Sequence, residues 1–312
     1  MSEEKILHKS DPFDPVFRYV AFAAATLLMA VLGGIVVSLL IGGWPALSKF
    51  GLNFFISTTW NPVTDVYGGA GPIVGTIVSS LLALAMALPI AIGIAVFLTQ
   101  FAPKFISQPL SIAVELLAGI PSIVYGMCGL FVLAPVFAAK VQLPLVMALS
   151  NNPDSFWAKL VYGVPNGANI FTASLILAIM ILPYMSAVFR ELFRSIPPQV
   201  REAAFGVGAT PFEVITGVII PYVKKGMVGV VMLGLGRALG ETMAVTFIIG
   251  NSHGFPKSLF DSGSTIASTI ANEFNEASGL HTSALLALGL VLFLITFAVL
   301  ALARALLSSQ RY

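Results

Sequence analysis

Charge is scarce in this chain. Of its 312 residues only 10% are Asp, Glu, Lys or Arg, against roughly 25% in a soluble globular domain. That excludes an ordinary water-soluble fold; the net charge of +2 by itself says little about partners, and no nucleic acid is expected among them. Cysteine is nearly absent: Cys128 stands alone, so no internal disulfide is available, and its apolar surroundings predict a packing role. The three histidines, His8, His253 and His281, lie far apart with no metal-ligand spacing. No GxxxxGK[ST] loop occurs, which removes the usual device for binding ATP. Gly234-Leu-Gly236-Arg-Ala-Leu-Gly240 has the wrong spacing for a dinucleotide loop and reads as small-residue helix packing. No cofactor or metal is expected, and no enzymatic chemistry.

What the chain has is apolar length. It is 57% hydrophobic, with a mean hydropathy of +0.95. A membrane helix needs roughly 20 apolar residues, and six stretches qualify: about 17–41, 71–99, 109–137, 168–190, 226–250 and 283–307. The expected fold is an all-α integral membrane protein with six transmembrane helices. Residues 1–16 and 309–312 are tails, 17–308 the transmembrane domain, and 191–225 a long polar loop within it. The run beginning at Val16 is too long for a cleaved signal and predicts a retained span.

Lys and Arg set the orientation. With the N-terminus inside, eleven of the 16 fall on that side and four on the other, with Arg237 inside a span. The positive-inside rule therefore predicts both termini and the 191–225 loop in the cytoplasm. Asp11-Pro12 is a plausible helix start at the membrane surface. The three outer loops are 42–70, 138–167 and 251–282. Trp44, Trp60 and Tyr67 in the first suit an interfacial belt or a partner. Ile266, Ile270 and Phe274 in the last predict a short amphipathic helix, on the membrane or against a partner.

The polar loop has readable punctuation. Pro197-Pro198 suits the first turn of a new helix, running to about Val207. Gly208 suits the left-handed residue that ends it. Thr210-Pro211-Phe212-Glu213 is a capping box opening a second helix. The prediction is two short helices with a sharp bend, with Ala203 and Ala204 on a small-residue face beside Glu202. Glu202-Ala203-Ala204, then Gly208, then Val218 and Ile220-Pro221 resembles the EAA loop of bacterial ABC importer permeases. Val218 and Ile220 stand where that family has Ile and Leu. The resemblance implies a type I ABC importer transmembrane domain. It also implies that Glu202, Ala203, Ala204 and Gly208 couple the chain to an ATPase subunit.

Three ionisable residues lie in apolar runs. Glu115 is near the cytoplasmic end of the third span, six residues before Pro121, which should kink that helix. Its reading stays open between snorkelling or capping and a role in transport. Arg237 and Glu241 sit near the middle of the fifth span, where each costs about 2.5 to 3.5 kcal/mol. Four apart on one helix, they share a face. Either they form a salt bridge that fixes packing, or Arg237 attracts a passing oxyanion with paired donors while Glu241 orients it. Ala118-Gly-Ile-Pro-Ser-Ile-Val-Tyr-Gly126 and Gly234 to Ala244 resemble the phosphate-specific members of the family, the C-type permease subunits. That resemblance places Arg237 and Glu241 on a translocation route in a bacterial cytoplasmic membrane. It implies a second, related permease as heterodimer partner, two copies of an ABC ATPase and a periplasmic or lipid-anchored phosphate-binding protein. It also suggests a phosphate-signalling regulator and sensor kinase. Another oxyanion, molybdate or sulfate, remains an alternative. So does an ion-coupled secondary transporter, whose mark is inverted repeats; the only echo is Ile181-Leu-Pro-Tyr184 against Ile219-Ile-Pro-Tyr222.

Overall fold

A computed structural model describes residues 14–150 and 154–308. The expected helix start at Asp11-Pro12 and the C-terminal tail lie outside them. Six helices among the described residues have the length and apolar composition to cross a membrane. They are Pro15–Phe50, Ala70–Phe101, Ser122–Leu149, Ile170–Arg194, Pro211–Leu239 and Leu280–Ala305.

The fourth span is the axis of the bundle. Of its apolar window 67% is buried, against 28% or less in the others. Leu177, Ile181, Met185, Phe189 and Phe193 are fully buried and recur every fourth residue, so one stripe of large side chains runs its length. The second span lies along it and presents Ala83, Ala87, Ala91 and Ala95, also fully buried and four apart. A large stripe against a small one lets two backbones approach without voids. The first helix behaves differently. It packs on the last helix near its outer end, where a Cβ at Gly43 would meet the Ala287 nitrogen at 2.9 Å. Its apolar window is unburied.

Three expectations about boundaries change. The third stretch, 109–137, is divided: helix Lys104–Ala118 ends, Gly119 to Pro121 are not helical, and a new helix begins at Ser122 and runs on to Leu149. Residues 138–149, expected as loop, are therefore helical. The polar loop is shorter than 191–225, because the helix starting at Pro211 continues without interruption to Leu239. The fifth stretch, 226–250, breaks after Leu239 and resumes as Met243–Ile248.

The prolines explain much of this. Wide, π-type turns occupy Phe97–Phe101, Gly129–Leu133, Ala138–Gln142 and Ile215–Ile219. Each ends two residues before a proline: Pro103, Pro135, Pro144 and Pro221. Proline lacks an N–H and its ring collides with the carbonyl four residues back. Widening the preceding turn moves that carbonyl aside, so at Pro135, Pro144 and Pro221 the chain stays helical.

At the outer end a hairpin pairs Trp60–Asn61 with Val66–Tyr67, turning through Asp65 at φ +51°. The expected amphipathic helix is present as Ile266–Glu273. It packs on the chain itself, with Ile266 through Thr269 buried, while Phe274 just beyond it is exposed.

Candidate functional site: two helix breaks and a bent helical pair

The helical pair is built as its punctuation predicts. Pro198–Gly206 ends at Gly208, whose φ of +88° is the left-handed conformation. The Thr210 nitrogen donates to Glu213 Oε2 at 2.8 Å, and the Glu213 nitrogen donates to Thr210 Oγ1 at 3.4 Å. Glu202, Ala203 and Gly208 are exposed and Ala204 is half-buried. Phe205, Val207 and Phe212 stand out at 49%, 87% and 73% exposure. Beside them a cavity of about 340 Å³ separates the pair from the Thr99–Phe101 turn, with Arg201, Glu202 and Phe205 on its wall. Three large apolar side chains on a surface otherwise shaped by helix caps make a ready protein-docking face.

The second feature lies where two spans are interrupted. The break at Gly119 to Pro121 and the break at Gly240 to Thr242 are brought together by the pieces that follow them. Helix Ser122–Cys128 packs on Met243–Ile248 so closely that a Cβ at Gly126 would meet the Ala244 Cα at 2.9 Å, and one at Gly129 would meet Ile248 at 2.8 Å. At Gly126 the neighbour is backbone and glycine is required by contact; at Gly129 it is the side chains of Ile248 and Ile176. Part of the freed backbone is satisfied locally. Tyr125 Oη donates to the Leu117 carbonyl at 2.8 Å across the first break. The Ala244 nitrogen donates to Glu241 Oε1 at 3.2 Å across the second.

Arg237 lies just before that second break and Glu241 within it, so they do not lie on one continuous helix face as expected. No ion pair joins them among the described residues. Glu241 caps the helix beginning at Met243. Arg237 is exposed in the last turn before the break, its guanidinium 5.7 Å from the Tyr184 ring centroid. Glu115 finds a different partner. Its carboxylate accepts from Arg190 Nη2, which also donates to Glu191 Oε1 at 3.2 Å. Arg190 is 4% exposed, so this ion pair pins helix Lys104–Ala118 to the axial helix. The sequence reading counted Arg190 only as an inside charge; its place on the axial stripe, one residue past Phe189, was the missed signal. Pro121 closes the first break rather than bending a continuous helix. Cys128 is exposed in this chain, not packed within it.

The end of the bundle away from the helical pair holds one further cluster that sequence spacing hid. Glu273 accepts from Trp60 Nε1 at 2.8 Å and from the Nε2 atoms of His253 and His281, both at 2.7 Å. Trp60 stacks on His253 and Tyr67 on His281. Burial pushes the Glu273 carboxyl up. The hydrogen bonds from His253, Trp60 and His281, with the His253 charge, outweigh that and bring it down to about 2. Burial and the Asp65 hydrogen bond push the Tyr67 phenol up to about 12.

Residues 87–312 match the family described as binding-protein-dependent transport system inner membrane component. The chain belongs to that family. Both breaks and the helical pair fall inside the matched region. Among curated relatives, a protein of Haemophilus influenzae named phosphate transport system permease protein PstC is 49% identical over 96% of this chain and 94% of its own length. A protein of the same name from Mesorhizobium japonicum is 50% identical over 94% and 90%. A more distant one, from Methanocaldococcus jannaschii and named a probable PstC, is 35% identical over 95% and 92%. Of solved structures, a bacterial alginate ABC transporter with its alginate-bound periplasmic protein matches 94% of this chain and 95% of its own at TM-score 0.58 and 16% identity. A second alginate importer structure gives 0.55 at 17%. At such identity the likeness establishes the fold, an ABC importer transmembrane domain. The chain is thus a multi-pass permease subunit that catalyses no covalent chemistry; ATP hydrolysis belongs to a separate subunit. Its family works with a second permease, an ATPase and a binding protein.

Proposed function

We propose that this chain forms one half of the translocation pathway of an ATP-driven importer of inorganic phosphate. The observation that carries the proposal is Arg237: an exposed guanidinium with no ion pair among the described residues, beside the second of two packed helix breaks, in a chain whose relatives are named phosphate permeases. An Arg facing lipid at that depth is costly, so its face belongs in a polar passage shared with the partner permease. There its fork of donors fits a phosphate oxyanion, and the broken helices present backbone groups to the same space. Glu241 holds the outgoing helix in place through its cap.

The helical pair at Pro198–Val214 is the seat of the ATPase, and its end of the bundle is cytoplasmic. Phe205, Val207 and Phe212 enter the ATPase surface, and the Gly208 bend transmits its rigid-body motion to the continuous helix that carries Arg237. A phosphate-binding protein delivers substrate at the opposite face. A regulator and sensor kinase read the same assembly. Reconstitution of the full transporter in vesicles tests the reading: Arg237→Gln should abolish phosphate uptake while ATPase subunits still co-purify. Undiminished uptake by that variant, or wild-type uptake of sulfate or molybdate in preference to phosphate, would overturn it.

A further inference from the structure

A second cavity, of about 470 Å³, lies where the second and fourth spans end, next to the first and sharing Thr99 and Arg201 with it. Leu98, Ser107 and Phe193 are buried in its wall. Its charged lining is Lys104, Arg194 and Arg201, and no carboxylate lines it. Their partners are few. Arg194 Nη1 is 3.3 Å from Glu191, which Arg190 also uses. Arg201 Nη1 donates to the uncharged Gln100 at 3.3 Å. Lys104 has no ion pair among the described residues and sits in the first turn of the 15-residue helix Lys104–Ala118, whose N-terminus no side chain caps. One turn deeper along the same two helices, Ser111 Oγ and Arg190 Nη1 are buried without a partner among the described residues. Three cations and an uncapped helix start therefore meet at one cavity, with the two unsatisfied buried groups a turn away and little negative charge on its wall.

We propose that this cavity binds a phosphate group, supplied either by the head group of an anionic phospholipid or by free inorganic phosphate. It lies level with the ends of two spans, at head-group depth, where basic pockets between helices hold anionic lipids. It is distinct from the Arg237 junction and does not depend on the transport reading; a transporter of any substrate could carry it. The bound group bridges Lys104 at the start of one helix to Arg194 and Arg201 on the axial helix and the helical pair. It thereby fixes the pair relative to the bundle.

The full chain in phosphatidylcholine nanodiscs tests this directly. Its thermal midpoint is measured against added short-chain phosphatidylglycerol, against inorganic phosphate, and in the variants K104Q/R194Q, K104R/R194K and R237Q. The expected result is a rise in midpoint with one or both ligands, kept in R237Q and in the charge-preserving pair. It should weaken by about five-fold in affinity per cation removed in K104Q/R194Q, and diminish with salt. A response to the lipid alone assigns the head group, and a response to phosphate alone assigns the free anion. No response to either ligand, an undiminished response in K104Q/R194Q, or a response lost in R237Q instead would overturn the proposal.

Discussion

At the scale of single residues, the informative side chains are the charged ones in apolar surroundings, and their partners differ in consequence. Arg190 is buried and Glu115 and Glu191 are half exposed, at 54% and 63% of the side chain. Removing both acids leaves a cation stranded in the bundle; removing the cation leaves two carboxylates that water can reach. Stranding a buried charge costs about 3–5 kcal/mol. Glu115→Gln with Glu191→Gln should therefore lower the thermal midpoint more than Arg190→Met does. The opposite order would show that Arg190 is hydrated through its unpartnered Nη1. Glu241 makes a smaller, separable contribution. Glu241→Ala removes the acceptor for the Ala244 nitrogen and should cost about 1 kcal/mol, the usual loss of a helix cap. Hydrogen exchange confined to Met243–Ile248 is the readout, and exchange spread over the whole bundle would contradict it.

At the scale of elements, the bend and the outer cluster carry the testable claims. Gly208 has open space around a Cβ, so substitution there strains only the backbone. A β-branched residue at φ +88° costs roughly 1–2 kcal/mol. Gly208→Val should insert normally and lower ATPase-coupled uptake, because it straightens the pair; unchanged uptake would remove the bend from the coupling argument. The outer cluster answers to acid. The Glu273 carboxyl is held down to about 2 from an ordinary value of 4.5. Its contribution is therefore complete above about 4.5 and is lost as pH falls from there through about 2. His253, His281, Trp60, Asp65 and Tyr67 face this carboxylate or its immediate partners. Hydrogen exchange in residues 251–281 should rise across that window in wild type and be flat in Glu273→Gln. These elements also show what was legible in the sequence. The helical pair was written in local rules, Pro at N1, Gly at a positive φ and a Thr–Glu capping box, and those caps and the bend are present, while the second helix, expected to be short, runs on to Leu239. The helix breaks and the persistence of helix through Pro135 and Pro144 were not. A proline reads alike whether the turn before it widens or the chain leaves the helix, and only packing decides. The His253–Glu273–His281 cluster joins positions that no sequence period links.

At the scale of the whole molecule, the chain keeps a guanidinium exposed among apolar helices with no ion pair among the described residues. The axial stripe from Leu177 to Phe193 and the alanine stripe facing it would stabilise a bundle with or without Arg237. If the polar passage exists only when the second permease is present, the isolated chain carries the cost of that charge, and the assembled transporter does not. A charged side chain at the bilayer centre costs about 2.5 to 3.5 kcal/mol, which is the upper bound on what Arg237→Leu relieves in the last turn of its helix. The variant, expressed alone in membranes, should unfold at a higher temperature and persist longer than wild type. In the complete transporter it should lose phosphate uptake with no gain in midpoint. The two measurements together separate a charge kept for transport from one kept for packing. A variant less stable than wild type when alone would mean that Arg237 is held by this chain, through Tyr184 and the backbone at the break, and that the passage is already formed before the partner arrives.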